Sequence, residues 1–444
     1  MPILTKDEAY ALLKKVISYS KADECEVNIG GGDSANIRYA RNSVSTSGVI
    51  SQNSLVISSA YGKKVGTATI NEFDDASLEK VVRRSEELAQ LAPENPEFVS
   101  FLGPQTYQEA KNFVPATAAI TPKMRADLVA QSLQVAKEGK AVAAGFLEDS
   151  VGYSAMMNSK GLFAYNTATG TNFSVTVRTE DGKGSGYATR GYNDITKLDT
   201  KTATQIATQK ATSSVTAKAI EPGKYTVILE PAAAAVLLER IIFGLDARTA
   251  DEGRSFLSKP GGATRLGEKM VDERVNIYSD PWNADLPTSP WTGDGRPQEK
   301  TTWIEKGVVK NLTYSRYWAE KKSVKATPFP DGIIMEGGTK SLEELIKGTK
   351  KGVLVTRLWY IRDVDPQSLL LTGLTRDGTF YIENGKIQYP IKNFRFNESP
   401  VIMLNNLEEL GKVERTVSVE SNANYLLPPM KIRDFTFTSL SDAV

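Results

Sequence analysis

The sequence predicts an α+β fold: two N-terminal units of helices and antiparallel strands, followed by a large β-rich, barrel-like C-terminal domain. Three observations predict it. Capped amphipathic helices flank runs of β-branched and aromatic residues in each of the first two units. From Thr301 onward the chain is mostly strand-like segments. A length of 444 residues suggests roughly two or three domains. The boundaries read as 1–100, an N-terminal α+β domain, 101–218, a central α+β domain, and 219–444, the β-rich domain.

Thr5 and Glu8 form a capping box, and Leu12, Leu13, Val16 and Ile17 then share one helical face. In Glu24–Ile29 the residues Cys25, Val27 and Ile29 line one face of a strand, which makes Cys25 a small core residue. Gly30-Gly31-Gly32-Asp33 reads as a turn. It is no phosphate loop, because no helix follows it and no Gly-Lys-Ser/Thr closes it. Leu55–Ala60 and Lys64–Ile70 form a hairpin around Tyr61-Gly62-Lys63. A second helix turns Leu78, Val81, Val82 and Leu88 inward and stops at Ala92-Pro93.

The second unit opens with Thr121-Pro122, an N-cap followed by proline at the first helical position. Leu128, Val129, Leu133 and Val135 carry that helix to Gly139. Three or four strands follow between Val142 and Arg190. They are joined at Asn158-Ser159-Lys160-Gly161 and Asp181-Gly182-Lys183-Gly184, where glycine supplies the positive φ of a hairpin turn. Gly182-x-Gly184-x-Gly186 is no nucleotide loop, because strands flank it on both sides. A polar helix over Asp199–Thr212 closes the unit. The two units share a plan without any detectable sequence repeat.

The third unit starts at Glu221-Pro222-Gly223, with a buried-type strand over Tyr225–Leu229 and a helix from Pro231 to about Asp246. Strands are expected at Thr301–Glu305, Val308–Leu312, Val353–Tyr360, Phe380–Glu383, Lys386–Tyr389, Val401–Leu404 and Met430–Thr436. Asn384-Gly385 is the strongest hairpin signal. Ser341-Leu342-Glu343-Glu344 caps a short helix that ends at Gly348. All five tryptophans fall between residues 282 and 359. Core packing is the ordinary use for them. Trp282 and Trp291, in a Pro/Gly-rich segment, are the candidates for an interface, where Trp is enriched.

Composition excludes several functions. Lys plus Arg is 54 and Asp plus Glu is 53, a net charge of +1, which gives no electrostatic reason to expect nucleic acid or an anionic membrane as the main partner. The lysine runs at 321–322 and 347–351 are short and solvated. One cysteine forbids an intrachain disulfide. Zero histidine removes Ser-His-Asp catalysis and every histidine-ligated metal site. Asp246, Asp251 and Glu252, like the scattered Asp280, Asp285 and Asp294, read as a capped helix end and polar loops. Asp7-Glu8 stands where a signal peptide would have its apolar run. The longest apolar stretch, Ala232–Leu238, ends after seven residues, far below the roughly 20 that span a bilayer. A cytoplasmic protein without a membrane partner is expected.

The segments of the third unit resemble, in order and spacing, the TldD/PmbA family, known also as modulators of DNA gyrase. The resemblance rests on Lys224-Tyr225-Thr226-Val227-Ile228-Leu229-Glu230-Pro231, the helix Ala235–Leu245, Asp294-Gly295-Arg296-Pro297, Trp303–Val309 and Ile382-Glu383-Asn384-Gly385-Lys386. Val44-Ser45-Thr46 and Tyr61–Gly66 extend it to the N-terminus. It implies a metallopeptidase-like C-terminal domain. Active members of that family are zinc peptidases with His-Glu-x-x-x-His on the helix after the opening strand and a cysteine ligand near the C-terminus. The matching stretch here is Leu238-Glu239-Arg240-Ile241-Ile242-Phe243. Only Glu239 is kept, and Val417–Ala423 holds no cysteine.

The resemblance therefore implies a non-catalytic, PmbA/TldE-type subunit with no cofactor of its own. Zinc would reside in a TldD-like catalytic partner, and the complex would process unfolded peptides. The alternative is a stand-alone homodimeric peptide-binding or scaffold protein. The docking surface is expected in the third unit, at Trp282 and Trp291.

Overall fold

The structure, a computed structural model, describes residues 3–441. Helix α1 (Lys6–Tyr19) begins at Thr5, whose hydroxyl accepts from Glu8 N–H while Thr5 N–H donates to the Glu8 carboxylate. Strands β1 (Glu24–Ala40), β2 (Ser43–Tyr61) and β3 (Lys64–Ile70) follow, and then helix α2 (Asp75–Leu91). The next stretch holds α3 (Pro115–Ala118), α4 (Pro122–Glu138), β4 (Ala141–Asn158), β5 (Phe163–Thr179), β6 (Ser185–Tyr192) and α5 (Thr200–Ser213).

These six strands form one antiparallel sheet in the order β3-β2-β1-β4-β5-β6. β1 pairs with β4 from Glu26↔Asn158 to Tyr39↔Gly145, so the two helix–strand–helix units are halves of a single sheet. Each half has its own core. Ala9, Leu13 and Val16 of α1 and Leu78 and Val82 of α2 bury Val27, Leu55 and Ile57. Val129 and Ala136 of α4 and the alanine stripe Ala203, Ala207 and Ala211 of α5 bury Ile37, Leu147 and Val175. Cys25 sits fully inside the first core, where burial pushes its thiol up to about 11.

Gly30-Gly31-Gly32-Asp33 is not a turn. It lies mid-strand in β1, paired with β2 on one side and β4 on the other. Glycine is needed for close approach: a Cβ at Gly31 would stand 1.6 Å from Asn53 Oδ1, and one at Gly32 2.1 Å from the Val151 carbonyl oxygen. The hairpin glycines divide similarly. Gly161 and Gly182 have the positive φ expected of them. Gly184 does not; a Cβ there would meet the Ala211 carbonyl at 2.1 Å, so it lets α5 pack tightly on β6.

The C-terminal domain opens with β7 (Gly223–Leu229) and α6 (Pro231–Phe243). β7 is one stave of a closed five-stranded barrel. It pairs in parallel with Lys351–Asp365 and antiparallel with Met430–Leu440. The latter pairs with Phe394–Glu398, which pairs with Leu370–Glu383, which returns to Lys351–Asp365. A second, six-stranded sheet contains Thr301–Glu305, Ile277–Ser279, Ile333–Met335, Asn424–Leu427 and Glu414–Val417. α6 is sandwiched in the shared core, with Ala233–Leu238 all fully buried beside Val353 and Phe435 of the barrel and Ile277, Ile333 and Leu427 of the sheet. Trp303 and Trp318 belong to the same core.

Val401–Leu404, expected as a strand, is helical (Pro400–Asn405). A four-residue apolar run does not distinguish strand from helix, and Pro400 at the first helical position decides it. Asn384-Gly385 does form its hairpin, with both residues at positive φ. Among the described residues no helix is long and apolar enough to cross a membrane.

Candidate functional site

The N-terminal sheet and the C-terminal domain enclose a cleft of about 900 Å³. One wall is Asn112, Ser154, Asn166 and Asn193. The other is Glu239 and Phe243 of α6, with Arg415, Asn424 and Tyr425 from the second sheet and the loop residues Arg296, Phe329 and Asp331. Ties between the domains hold it. Arg248 forks onto both oxygens of Glu97 at 2.7 and 2.8 Å. Arg415 donates to Asn193 Oδ1 at 2.9 Å, Lys210 to Glu230 at 2.7 Å, and Ser185 Oγ to Asp377 at 2.5 Å.

Glu239 is the buried polar group at the bottom of this arrangement, 2% exposed. Its Oε2 accepts from Ser418 Oγ at 2.9 Å and its Oε1 from the Tyr425 hydroxyl at 3.2 Å. Ser418 directly follows the strand Glu414–Val417, and Tyr425 lies on its antiparallel neighbour, so one hairpin delivers both donors. Burial, reinforced by the Glu239 carboxyl group, pushes the Tyr425 phenol well above its ordinary value. It therefore remains a neutral donor.

The flanking motif positions carry no ligand atoms. Leu238 is fully buried in the core. Phe243 is 51% exposed at the cleft mouth, stacked on Phe329 with ring centroids 5.7 Å apart. A zinc ion needs three or four nitrogen, sulfur or carboxylate donors. Here two of the three helix positions are hydrocarbon, and both oxygens of the third are engaged by hydroxyls. Among the described residues no group of three His, Cys, Asp or Glu could hold a metal ion. The donor set does not fit zinc.

The other acidic candidates are structural. Asp246 caps the short helix Ala247–Asp251 by accepting from Thr249 N–H at 2.7 Å. Asp251 accepts from Trp318 Nε1, and Glu252 pairs with Arg248 and Arg254. Asp294 is held low chiefly by Arg296 and Thr292, against the opposing pull of burial.

Trp291 is not positioned as a docking residue. It is 8% exposed and packs on Met156 and Leu162 of the N-terminal half, with Tyr107 at a centroid distance of 6.5 Å. It is core at the domain junction, because its loop folds back onto the sheet instead of outward. Trp282 is half-buried, and its indole N–H reaches Gln108 O at 3.4 Å. Ser418, Tyr425, Asn193 and Arg415 were missed by reading the sequence. Only Ser418 lay in a stretch already singled out, Val417–Ala423.

Comparisons with known proteins agree with this geometry. Residues 114–215 match the family model of the PmbA/TldA metallopeptidase central domain, and residues 222–439 match that of its C-terminal domain. An uncharacterised protein of Methanocaldococcus jannaschii is 25% identical over 377 residues, 79% of this chain and 84% of that one. Metalloprotease PmbA of Escherichia coli O157:H7 is 27% identical over 173 residues, only 38% of this chain and 37% of that one. In structure, the chain is similar to TldE of Thermococcus kodakarensis, with a TM-score of 0.87 at 19% identity over 97% of this chain and 99% of that one. A Thermotoga maritima protein described as a candidate modulator of a DNA gyrase gives 0.84 at 20% identity, over 98% and 99%. With its central and C-terminal domains both matched and its fold shared from end to end, the chain belongs to the TldD/PmbA family of metallopeptidases.

Proposed function

We propose that this chain is a non-catalytic, PmbA/TldE-type subunit of a cytoplasmic peptidase complex. A homologue bearing His-Glu-x-x-x-His supplies the zinc and cleaves unfolded peptides. One observation carries the reading. The helix position that would present a general base holds Glu239, which is 2% exposed and whose two oxygens accept hydrogen bonds from Ser418 and Tyr425. A base works only if it reaches a water or a reacting proton. This one is a structural anchor, flanked by Leu238 and Phe243 where a metal would require donors.

The test is co-expression with a histidine-bearing homologue. The expected result is a stable complex, zinc in the homologue alone, and cleavage of an unstructured peptide by the complex but not by this chain. About one zinc per isolated chain, with cleavage abolished by a chelator, would overturn the proposal.

A further inference from the structure

Two phenylalanine rings are held in water at the mouth of the cleft. Phe243, the last residue of α6, is 51% exposed, and Phe329 is 47% exposed. The rings stack with their planes 22° from parallel. Phe329 cannot easily turn inward. Pro328 and Pro330 flank it, each with its φ fixed by the ring. Tyr314 N–H donates to Thr327 O at 2.7 Å, Gln298 Nε2 to Phe329 O at 3.3 Å, and Thr288 Oγ1 to Asp331 O at 3.2 Å. The loop is thus pinned before, at and after the ring. A side chain already fixed in place loses little entropy when something packs on it.

Behind the rings the cleft is polar and uncharged. Ser154 and Asn166 are directly opposed on β4 and β5. Their neighbours Tyr153 and Ala155 are buried in the helix-bearing core, so by alternation Ser154 and Asn166 point the other way, into the cleft. Both are half-buried, and neither side chain has a hydrogen-bond partner among the described residues. The charged lining residues leave no strong field. Arg296 pairs with Asp294 at 2.8 Å, Arg415 and Asp331 are opposite in sign, and Glu239 is sealed beneath its two hydroxyl donors. Past Ala168 the cleft runs on into a hollow of about 590 Å³ over Gly32, Gly152 and Gly170, so a chain can pass through it.

We propose that this cleft captures extended polypeptide by an aromatic side chain. The Phe243–Phe329 pair takes the ring of a Phe, Tyr or Trp, and Ser154 and Asn166 take backbone N–H and C=O groups beside it. The two requirements together select unfolded chain. In a folded protein large aromatic side chains are mostly buried, and backbone groups are already paired. Only an unfolded segment offers both at once. The balanced charge of the lining favours such a segment over a charged ligand. Position 243, where the family resemblance places a metal ligand, then serves to grip substrate. The inference rests on the reading of this chain as the non-catalytic subunit of a peptidase complex, and adds which segments it holds and with what.

Fluorescence anisotropy on the full chain tests it. The probe is a fluorescein-labelled Gly/Ser peptide of about a dozen residues with two central phenylalanines, long enough when extended to span the cleft. Its twin carries alanines instead. The phenylalanine peptide is expected to bind at least about tenfold tighter than the twin. Phe243→Ala and Phe329→Ala should each erase most of that preference, and Phe329→Tyr should keep it. Asn166→Ala should weaken both peptides alike, by about threefold or more, because it holds backbone. Equal affinity of the wild type for the two peptides would overturn the proposal, and that comparison needs no variant to fold. So would a preference unchanged in folded Phe243→Ala/Phe329→Ala, or equally tight binding of a folded domain that contains phenylalanine. The subunit reading fails separately. If a histidine-bearing homologue and this chain together cleave both peptides while this chain alone prefers neither, only the capture site is wrong. If this chain shows the preference but forms no complex with the homologue, only the subunit reading is.

Discussion

Ser418 Oγ lies 2.9 Å from Glu239 Oε2, although 179 residues separate the two in sequence. The contact ties the central helix of the C-terminal domain to the hairpin Glu414–Leu427, and Tyr425 adds a second tie to the same carboxyl group. The helix position that the family resemblance marks for chemistry is therefore used for cohesion.

Removing one donor should register as a stability change. Tyr425→Phe keeps the ring and deletes the hydroxyl, leaving Glu239 Oε1 buried without a partner. The expected cost is about 1–3 kcal/mol in urea unfolding. Ser418→Ala should cost a similar amount. The double variant should deviate from additivity by more than about 0.5 kcal/mol, since both donors share one acceptor group. Strict additivity with negligible single costs would show that the carboxyl group is solvated and free.

Restoring the two missing histidines should not restore a metal site. In Leu238→His/Phe243→His the first imidazole enters a fully buried, close-packed position and the second sits at the half-open mouth. The third ligand is still absent, and Glu239 is still held by two hydroxyls. The expected outcome is zinc well below one per chain by elemental analysis, together with a loss of stability of about 2 kcal/mol or more from the buried imidazole. Stoichiometric zinc in this variant would mean that the hairpin rearranges to supply a donor.

Local features were legible in the sequence, and non-local ones were not. Capping at Thr5 and Ser341 and the Asn384-Gly385 hairpin depend on residues within three positions of each other, and they stand as read. Glu239 could be located because its helix and strand neighbours form a local pattern. Ser418 and Tyr425 could not be assigned to it, since the contacts span 179 and 186 residues. The union of the two N-terminal units in one sheet depends on β1 pairing with β4, again far apart in sequence. Gly30–Gly32 failed differently. Glycine marks either a turn or a close backbone approach, and only the positions of Asn53 and Val151 tell which. Trp291 failed because a Pro/Gly-rich segment says that the chain bends, not toward what.

Arg125 and Asp149 give a sharper test of the N-terminal sheet. The guanidinium forks onto both carboxylate oxygens, with the Nη2 to Oδ2 contact at 2.8 Å, and both residues are about 95% buried. Asp149→Ala leaves an unpaired buried cation, and such a loss costs about 3–5 kcal/mol. Replacing both partners, as Arg125→Met/Asp149→Leu, should recover most of that. If the double variant is as unstable as the single one, the pair contributes specific structure and not merely mutual compensation.

Asp272 supplies a pH dependence with a definite sign. Its Oδ1 accepts from Arg274 Nε at 2.7 Å and from Arg274 N–H at 2.9 Å, and these contacts hold the carboxyl group at about 2, below its ordinary 3.8. The folded chain thus binds this proton more weakly than the unfolded chain. The resulting stabilisation is complete above about pH 4 and lost as pH falls toward about 2. The pair is near the surface, so solvent screening limits the effect to about 1 kcal/mol or less. Asp272→Asn should therefore melt a few degrees below the wild type at pH 6, and the gap should shrink steadily between pH 4 and pH 2. A gap that stays constant over that range would assign the effect to hydrogen-bond geometry alone, with no contribution from the ionised carboxylate.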